Sequence, residues 1–291
     1  MGSDEDLDRG RHTLDWNVQT KTDAALVRRC AEAIAEADGL LVTAGAGMGV
    51  DSGLPDFRGT QGFWRAYPAL GRARIAFEAI ASPAAFEADP RVAWGFYGHR
   101  LALYRKTIPH EGFAILKAIG ASMRNGAFVF TSNVDGQFSK AGYADARVCE
   151  IHGSVHHLQC MRTCSDEIWS AADFAPEIDE EQCLLRSALP VCPRCDGLAR
   201  PNIVMFGDWG WIESRQQAQT AALHAWLKQV TRPVVVEIGA GTAIPSVRHF
   251  GEAARGVLIR INPTEPGVPK SKGFGLRIGG LEGIRLLRDA L

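Results

Sequence analysis

Apolar residues recur along this chain with two alternating periods. After Thr22, expected to cap a helix, Leu26, Val27, Cys30, Ala31 and Ile34 fall at helical spacing until Asp38-Gly39 ends the run. Leu40-Leu41-Val42-Thr43 then predicts a short buried strand. Further β-rich runs are Phe128–Phe130, Val148–Ile151, Ile203–Phe206, Val234–Val236 and Val257–Ile261, with helical stretches between several of them, such as Phe113–Met123 and Trp211–Val230. Strands that alternate with helices predict an α/β fold, a Rossmann-like parallel sheet covered on both faces.

Two stretches interrupt the alternation. Residues 61–106 read as helical, with Trp94, Tyr97, Leu101 and Tyr104 on one stripe, and residues 156–199 read as irregular. Together they are expected to form a smaller inserted domain, a helical module plus a zinc module. The sheet domain would then comprise 21–60, 107–155 and 200–291, preceded by a loose polar tail over 1–20.

Composition narrows the setting. Hydrophobic residues are 46% and charged residues 22%, with a formal net charge of −1, so no basic field draws the chain to nucleic acid or anionic lipid. No apolar run approaches the roughly 20 residues that span a bilayer. The first residues are acidic (Asp4, Glu5, Asp6, Asp8) where a secretion signal is basic and then apolar. The seven cysteines, an odd number, are therefore expected as reduced thiols in a cytoplasmic protein.

Four of those cysteines form two close pairs. Cys160-x3-Cys164 and Cys192-x2-Cys195 place four thiolates within reach of one ion, the set for a closed structural zinc site without a position for water. Pro193 and Gly197 suit the tight turn of a zinc knuckle. Cys183 lies between the pairs and is an alternative ligand without a close partner; Cys149, in a predicted strand, reads as core.

Gly45-Ala46-Gly47-Met48-Gly49 follows the first predicted strand, where glycine lets backbone N–H groups approach a pyrophosphate. The dinucleotide fingerprint G-x-G-x-x-G fails, since its third glycine falls on Val50. The next residues, Asp51 to Gly59, are too polar and broken for a helix and read as a loop folding over a ligand. Arg58 would serve phosphate and Phe57 would screen sugar from water. Asn133 and Asp135 follow one predicted strand and His152 follows the next, at the sheet edge where such folds bind ligands. A histidine there is suited to proton transfer near neutral pH. His156 and His157 lie outside any motif and are read as structural.

These segments resemble the sirtuin family. Its Gly-Ala-Gly loop running into Ser-Gly-Ile-Pro-Asp-Phe-Arg is matched from Gly45 to Arg58, with Leu54 for isoleucine. Thr131-Ser132-Asn133-Val134-Asp135, Glu150-Ile151-His152-Gly153, Arg200 to Asp208, Gly241-Thr242 and Ile261-Asn262 resemble further family landmarks, in order, with the cysteine quartet in the expected gap. The resemblance implies an NAD-dependent protein-lysine deacylase that consumes NAD as co-substrate and releases nicotinamide, free lysine and O-acyl-ADP-ribose. By resemblance, Gly45, Ala46, Gly47, Asp56, Phe57, Arg58, Ser132, Asn133, Val134, Asp135, Gly241, Thr242 and Asn262 would bind NAD. His152 would be the general base on a ribose hydroxyl, Asp135 would hold the nicotinamide amide and Asn133 would position ribose and water. An acyl-lysine peptide would enter as an extended strand along Val204, Phe206 and Gly207. The protein is expected to act as a monomer, away from nucleic acid and membrane.

Tyr97 and Arg100 lie one helical turn apart, a spacing similar to the Tyr-x-x-Arg pair of sirtuins that remove acidic acyl groups; an arginine with a tyrosine hydroxyl can bind a terminal carboxylate. The opposing reading is that Tyr97 belongs to the apolar stripe and Arg100 to the surface. Several family positions differ. The family's serine in the first loop is Gly49, its glutamine before Asn133 is Ser132, and its leucine-histidine after Asp135 is Gln137-Phe138. His110, Phe113 and Ala243 likewise replace polar family residues. Each exchange removes a hydrogen-bonding group, a loss of about 1–3 kcal/mol where a buried partner is orphaned. Two alternatives therefore stand beside deacylation: transfer of ADP-ribose to a side chain or to water, and a nucleotide sensor without turnover.

Overall fold

A computed structural model describes residues 16–17, 23–55 and 59–291. Its centre is a six-stranded parallel sheet. The strands, in chain order, are β1 (Gly39–Ala44), β2 (Ala127–Thr131), β3 (Val148–Glu150), then, after an insertion containing β4 (Gly153–Cys160), β5 (Ile168–Ser170) and β6 (Ala199–Ile203), β7 (Pro233–Ile238), β8 (Val257–Ile261) and β9 (Gly273–Leu276). The spatial order is β9-β8-β7-β1-β2-β3, with Val42 of β1 facing Val236 on one side and Val129 on the other. The chain winds outward from β1 to β3, then returns to β7 and winds the other way. Its topological switch point therefore lies between β1 and β7, where open α/β sheets bind ligands.

Helices cover both faces, and the strand alternation assigns residues to each. Leu40, Val42, Val129, Val234 and Val236 pack beneath helices α1 (Ala24–Ala35), α7 (Glu111–Ala121) and α11 (Gly280–Ala290); Leu41, Phe128 and Val235 pack on the other face, beneath α9 (Ser214–Gln229) and α10 (Ser246–Ala253). All six residues of β1 are buried, as a strand with two covered faces requires. Helix α1 buries Leu26, Val27, Cys30, Ala31 and Ile34 as expected, but its cap is Asp23, whose Oδ1 accepts from the Leu26 N–H at 2.7 Å. Within the expected tail, Trp16–Asn17 pair antiparallel with Val268–Pro269; the other residues of 1–20 lie outside the described residues.

The second layer is built from α2 (Gly59–Ala66), α3 (Pro68–Arg72), α4 (Phe77–Ile80), α5 (Pro83–Ala88) and the long α6 (Pro90–Lys106), packed against a separate sheet of β5-β4-β6. Helix α6 starts sharply because the Asp89 carboxylate accepts from the Arg91 and Val92 N–H groups and Pro90 occupies the first turn. Its stripe of Trp94, Tyr97, Leu101 and Tyr104 is buried, and the Trp94 indole donates to the Ala199 carbonyl at 2.9 Å. The predicted strand over Ile203–Phe206 is displaced to Ala199–Ile203, and it pairs antiparallel with β4 instead of joining the parallel sheet. Period alone could not assign it to a sheet, because a short apolar run reads alike in either. Among the described residues, no helix is long and apolar enough to cross a membrane.

Candidate active site

The chain leaves the parallel sheet at β3 and enters the antiparallel one at β4, and His152 sits on the turn between them. Both sides of that turn are fixed. Glu150 is held by Arg215 at 2.6 Å, and the Ile151 N–H donates to Thr131 at 2.9 Å. The His152 carbonyl accepts from the Val204 N–H at 3.0 Å. Burial pushes the imidazole below its ordinary value, against a hydrogen bond to the Ser132 carbonyl that pulls it upward, so the ring is neutral at physiological pH.

The neighbouring loop after β2 is ordered by its own side chains. The Thr131 hydroxyl donates to the Ala44 carbonyl at 2.9 Å and accepts from the Asn133 N–H at 3.0 Å, while the Asn133 amide donates to the Gly45 carbonyl at 3.0 Å. Asp135 is buried, and its Oδ1 accepts from the Gln137 N–H at 2.9 Å. Burial pushes its carboxyl up to about 6 despite that bond. The His156 Nε2–H donates to the Asp135 carbonyl oxygen at 2.9 Å, which fixes the tautomer of that ring. The histidine read as structural thus braces the loop that carries Asp135.

The glycine loop closes the switch point in an unexpected way. Gly45 and Gly47 donate their N–H groups to the Ile238 and Gly239 carbonyls, at 3.0 and 3.1 Å, and not toward a ligand. A Cβ on Gly47 would stand 2.6 Å from the Gly239 Cα, and Gly239 itself has φ +63°. The glycines are therefore required because two backbones pass in contact, a reason the glycine spacing did not show. Gly49 has a similar reason: a Cβ there would meet the Leu54 side chain at 3.0 Å, so Gly49 and Leu54 share one space. Beyond the end of β7, the Asn262 amide donates to the Ala240 carbonyl at 3.0 Å. Glu265 accepts from the Thr242 hydroxyl at 2.7 Å and from its N–H at 3.2 Å.

Around these residues lies a cavity of about 940 Å³. Gly45, Ala46, Gly47, Ser132, Asn133, Val134, Asp135, His152, Gly241, Thr242 and Asn262 all line it, as do Tyr97, Arg100, Val204 and Phe206. Gly207 is not in the lining; it occupies the left-handed turn just beyond, with φ +66°. Asp56, Phe57 and Arg58 lie outside the described residues. Sequence reasoning missed Tyr104, Phe63, Phe77, Thr264 and Glu265, which also line the cavity. Tyr104 carried a signal, its place one turn beyond Arg100, but was read only as part of the apolar stripe.

Tyr97 and Arg100 resolve as wall residues on both counts. Tyr97 is 1% exposed and stacks on Phe86 at 5.7 Å, so it is core, yet it borders the cavity. Arg100 is not a surface charge: its guanidinium lies over the Phe96, Tyr97 and Tyr104 rings at 5.3, 6.0 and 5.4 Å. Two of the positions that depart from the family pattern meet in space. Phe113 and Phe138 pack edge to face at 4.9 Å, both buried, so an aromatic contact fills that place. Neither ring carries a polar atom that burial could orphan. His110 caps α7, accepting from the Gly112 N–H through Nδ1 and donating through Nε2 to the Met48 carbonyl.

The cysteine quartet assembles as expected. The sulfurs of Cys160, Cys164, Cys192 and Cys195 lie within 4.8 Å of one another, with Cys160–Cys195 at 3.7 Å and Cys164–Cys192 at 3.6 Å. A zinc tetrahedron with Zn–S of 2.3 Å has edges of about 3.8 Å, so the four thiolates fit that ion. The left-handed residues of the two knuckles are Thr163 and Asp196, at φ 46° and 54°; Gly197 is not among them. Cys183 is buried elsewhere, its thiol pushed up to about 12 by burial, and Cys149 is core.

Fold and site define a nucleotide-binding α/β protein whose cavity joins the sheet's switch point to an inserted helical and metal-binding module. The Sir2 family model matches residues 45–239, and the chain belongs to that family. It is 28% identical to the NAD-dependent protein deacylase of Aquifex aeolicus (strain VF5) over 87% of this chain and 95% of that protein. It is 30% identical to the one of Pyrococcus furiosus over 80% and 85%. Over 61% of this chain and 59% of that protein it is 31% identical to the zebrafish (Danio rerio) NAD-dependent protein deacylase sirtuin-5, mitochondrial. Among solved structures, a Sir2 homologue–NAD complex superposes with a TM-score of 0.67 at 25% identity, covering 90% of this chain and 93% of that one.

Proposed function

We propose that this chain is an NAD-dependent protein-lysine deacylase. The observation that carries the reading is one cavity in which neutral His152, Asn133 and Asp135 stand between the nucleotide loops and the Tyr97–Arg100 wall. NAD, when bound, supplies an electrophilic ribose carbon on loss of nicotinamide and hydroxyls that receive the acyl group. The loops at Gly45–Gly47, Gly241–Thr242 and Asn262 would hold it, with Glu265 beside them. Asp135, as carboxylate, accepts from the nicotinamide carboxamide, and Asn133 orients the ribose. His152, kept neutral by burial, takes a proton from a ribose hydroxyl. Phe63, Phe77 and Phe206 keep bulk water from the reacting carbon. The zinc site is closed and holds the β4 and β6 ends together without entering the reaction.

The acyl group favoured by the wall is acidic. Arg100 brings a cation to the cavity and Tyr97 a hydroxyl, a pairing suited to the carboxylate of a succinyl, malonyl or glutaryl chain. A single extended peptide along Val204 and Phe206 is the proposed partner, and three thiols outside the zinc set, none in a disulfide, support a cytoplasmic setting.

Incubation with NAD and matched acetyl, malonyl and succinyl peptides tests both levels. Deacylated peptide with equimolar nicotinamide and O-acyl-ADP-ribose is expected. Free or protein-linked ADP-ribose without deacylation would overturn the reading in favour of a hydrolase or transferase. Arg100→Met is expected to lower kcat/KM on succinyl peptide selectively; equal loss on acetyl peptide would remove the acidic-acyl assignment.

A further inference from the structure

Of the seven large apolar side chains exposed among the described residues, three stand together at the mouth of the cavity. Phe206 and Ile244 line it, 42% and 48% exposed, and Trp209, three residues beyond Phe206, is 100% exposed. Three residues of chain keep Trp209 within about 11 Å of Phe206. The indole therefore stands beside the path proposed for the substrate peptide, with both ring faces in water.

The backbone beneath Trp209 is fixed. The Asp208 carboxylate accepts from both Nη atoms of Arg200, at 2.7 and 2.9 Å, and from the Met205 and Gly210 N–H groups, at 3.2 and 3.0 Å. The Gly210 carbonyl accepts from the Gln159 side-chain amide at 2.6 Å, and the Gln159 side-chain oxygen accepts from the Asn202 amide and the Ile212 N–H. The side chains of Arg200, Asp208, Gln159 and Asn202 are buried, so water does not compete for these bonds. An exposed indole on such a pedestal meets a partner without first losing backbone freedom, and tryptophan is among the residue types enriched as interface anchors.

Charge at the mouth indicates the partner. The Phe77 ring meets the Phe206 ring edge to face at 5.8 Å, and the next residue, Glu78, is the exposed charged side chain of the cavity lining among the described residues. A mouth that offers an indole and a carboxylate attracts a cation, to the ring face and to the acid, and repels an acidic side chain.

We infer, on the deacylase reading above, that Trp209 determines substrate specificity by stacking on the cationic side chain of an arginine or lysine that flanks the acyl-lysine. Acetyl-lysine peptides that carry arginine, alanine or glutamate at each flanking position test this, read out as kcat/KM and, for labelled peptides, as Kd by fluorescence anisotropy. At one of those positions the wild-type protein is expected to favour arginine over alanine by about fivefold, the scale of an exposed cation–π contact, and to rank glutamate last. Trp209→Ala is expected to bring the arginine-to-alanine ratio near one, through KM, with the thermal midpoint in place because the ring is wholly exposed. Trp209→Phe should keep part of the preference, and Trp209→Leu, apolar but without a π face, should lose it. A wild-type ratio in either Trp209→Ala or Trp209→Leu would overturn the role of the indole. Turnover of every peptide without an arginine preference overturns that role while the deacylase reading stands. Arginine-selective binding that vanishes in Trp209→Ala, without turnover of any peptide, overturns the deacylase reading and leaves the role of Trp209 in place. Neither binding nor turnover overturns both.

Discussion

The two ends of the cavity are built from different materials. The end proposed for the nucleotide is made largely of backbone: Gly45 and Gly47 bond to the end of β7, Gly47 touches Gly239, and the Asn262 side chain bonds to the Ala240 carbonyl. The end proposed for the acyl group is made of side chains from one helix, with Tyr97, Arg100 and Tyr104 on a single face of α6. A backbone-built site tolerates almost no substitution, because any Cβ collides with main chain that cannot yield. A side-chain-built site can be retuned one residue at a time while the helix and its core persist. The proposed base, His152, sits on the turn where the chain changes sheets.

The sharpest way to break this division is to remove the central group. His152→Asn should lower deacylation by about 10²–10⁴-fold, the range of general-base contributions, with the thermal midpoint little changed. Retained deacylation would displace the base from His152. Next is the buried pair Arg200–Asp208, 1% and 0% exposed, with contacts of 2.7 and 2.9 Å; Asp208 also accepts from the Met205 N–H at 3.2 Å. Asp208→Ala strands a buried guanidinium and should cost about 3–5 kcal/mol in denaturant unfolding. A smaller penalty would mean that water reaches Arg200.

Gly47→Ala tests the backbone end. It should cost about 1–3 kcal/mol and raise KM for NAD more than KM for peptide, since the clash at Gly239 spreads into the nucleotide loops. Equal change in both constants would contradict the assignment of that end.

The smallest effect is on pH dependence. The Asp135 carboxyl is raised to about 6 and is the stronger acceptor for a carboxamide when ionised; His152, lowered from its ordinary value, must be neutral to take a proton. Both states are lost on acidification, so log kcat/KM for NAD should fall below pH about 6 and steepen toward a slope of about two as the histidine protonates. Asp135→Asn should reduce the limiting slope to about one. For folding, the sign at Asp135 is the reverse. Its raised carboxyl binds a proton in the native state that the unfolded chain has released, so the group favours the folded state progressively as pH falls from about 6 toward its ordinary carboxylate value.

Much of this molecule was legible in its residues. The parallel sheet followed from uninterrupted apolar runs such as Leu40–Val42, since only a strand covered on both faces buries every residue. The zinc set followed from two close cysteine pairs, and the line-up of Asn133, Asp135 and His152 followed from their positions after predicted strands. What spacing could not supply was contact between distant segments. Tyr104 and Glu265 border the cavity through the packing of α6 and the loop after β8, and Phe113 packs on Phe138 from 25 residues away. Local pattern fixes period and element type because those depend on neighbours in the chain. The partner of Gly47, the sheet that takes Ala199–Ile203 and the contact of Phe113 with Phe138 depend on segments brought together only by folding, and the tertiary structure alone decided them.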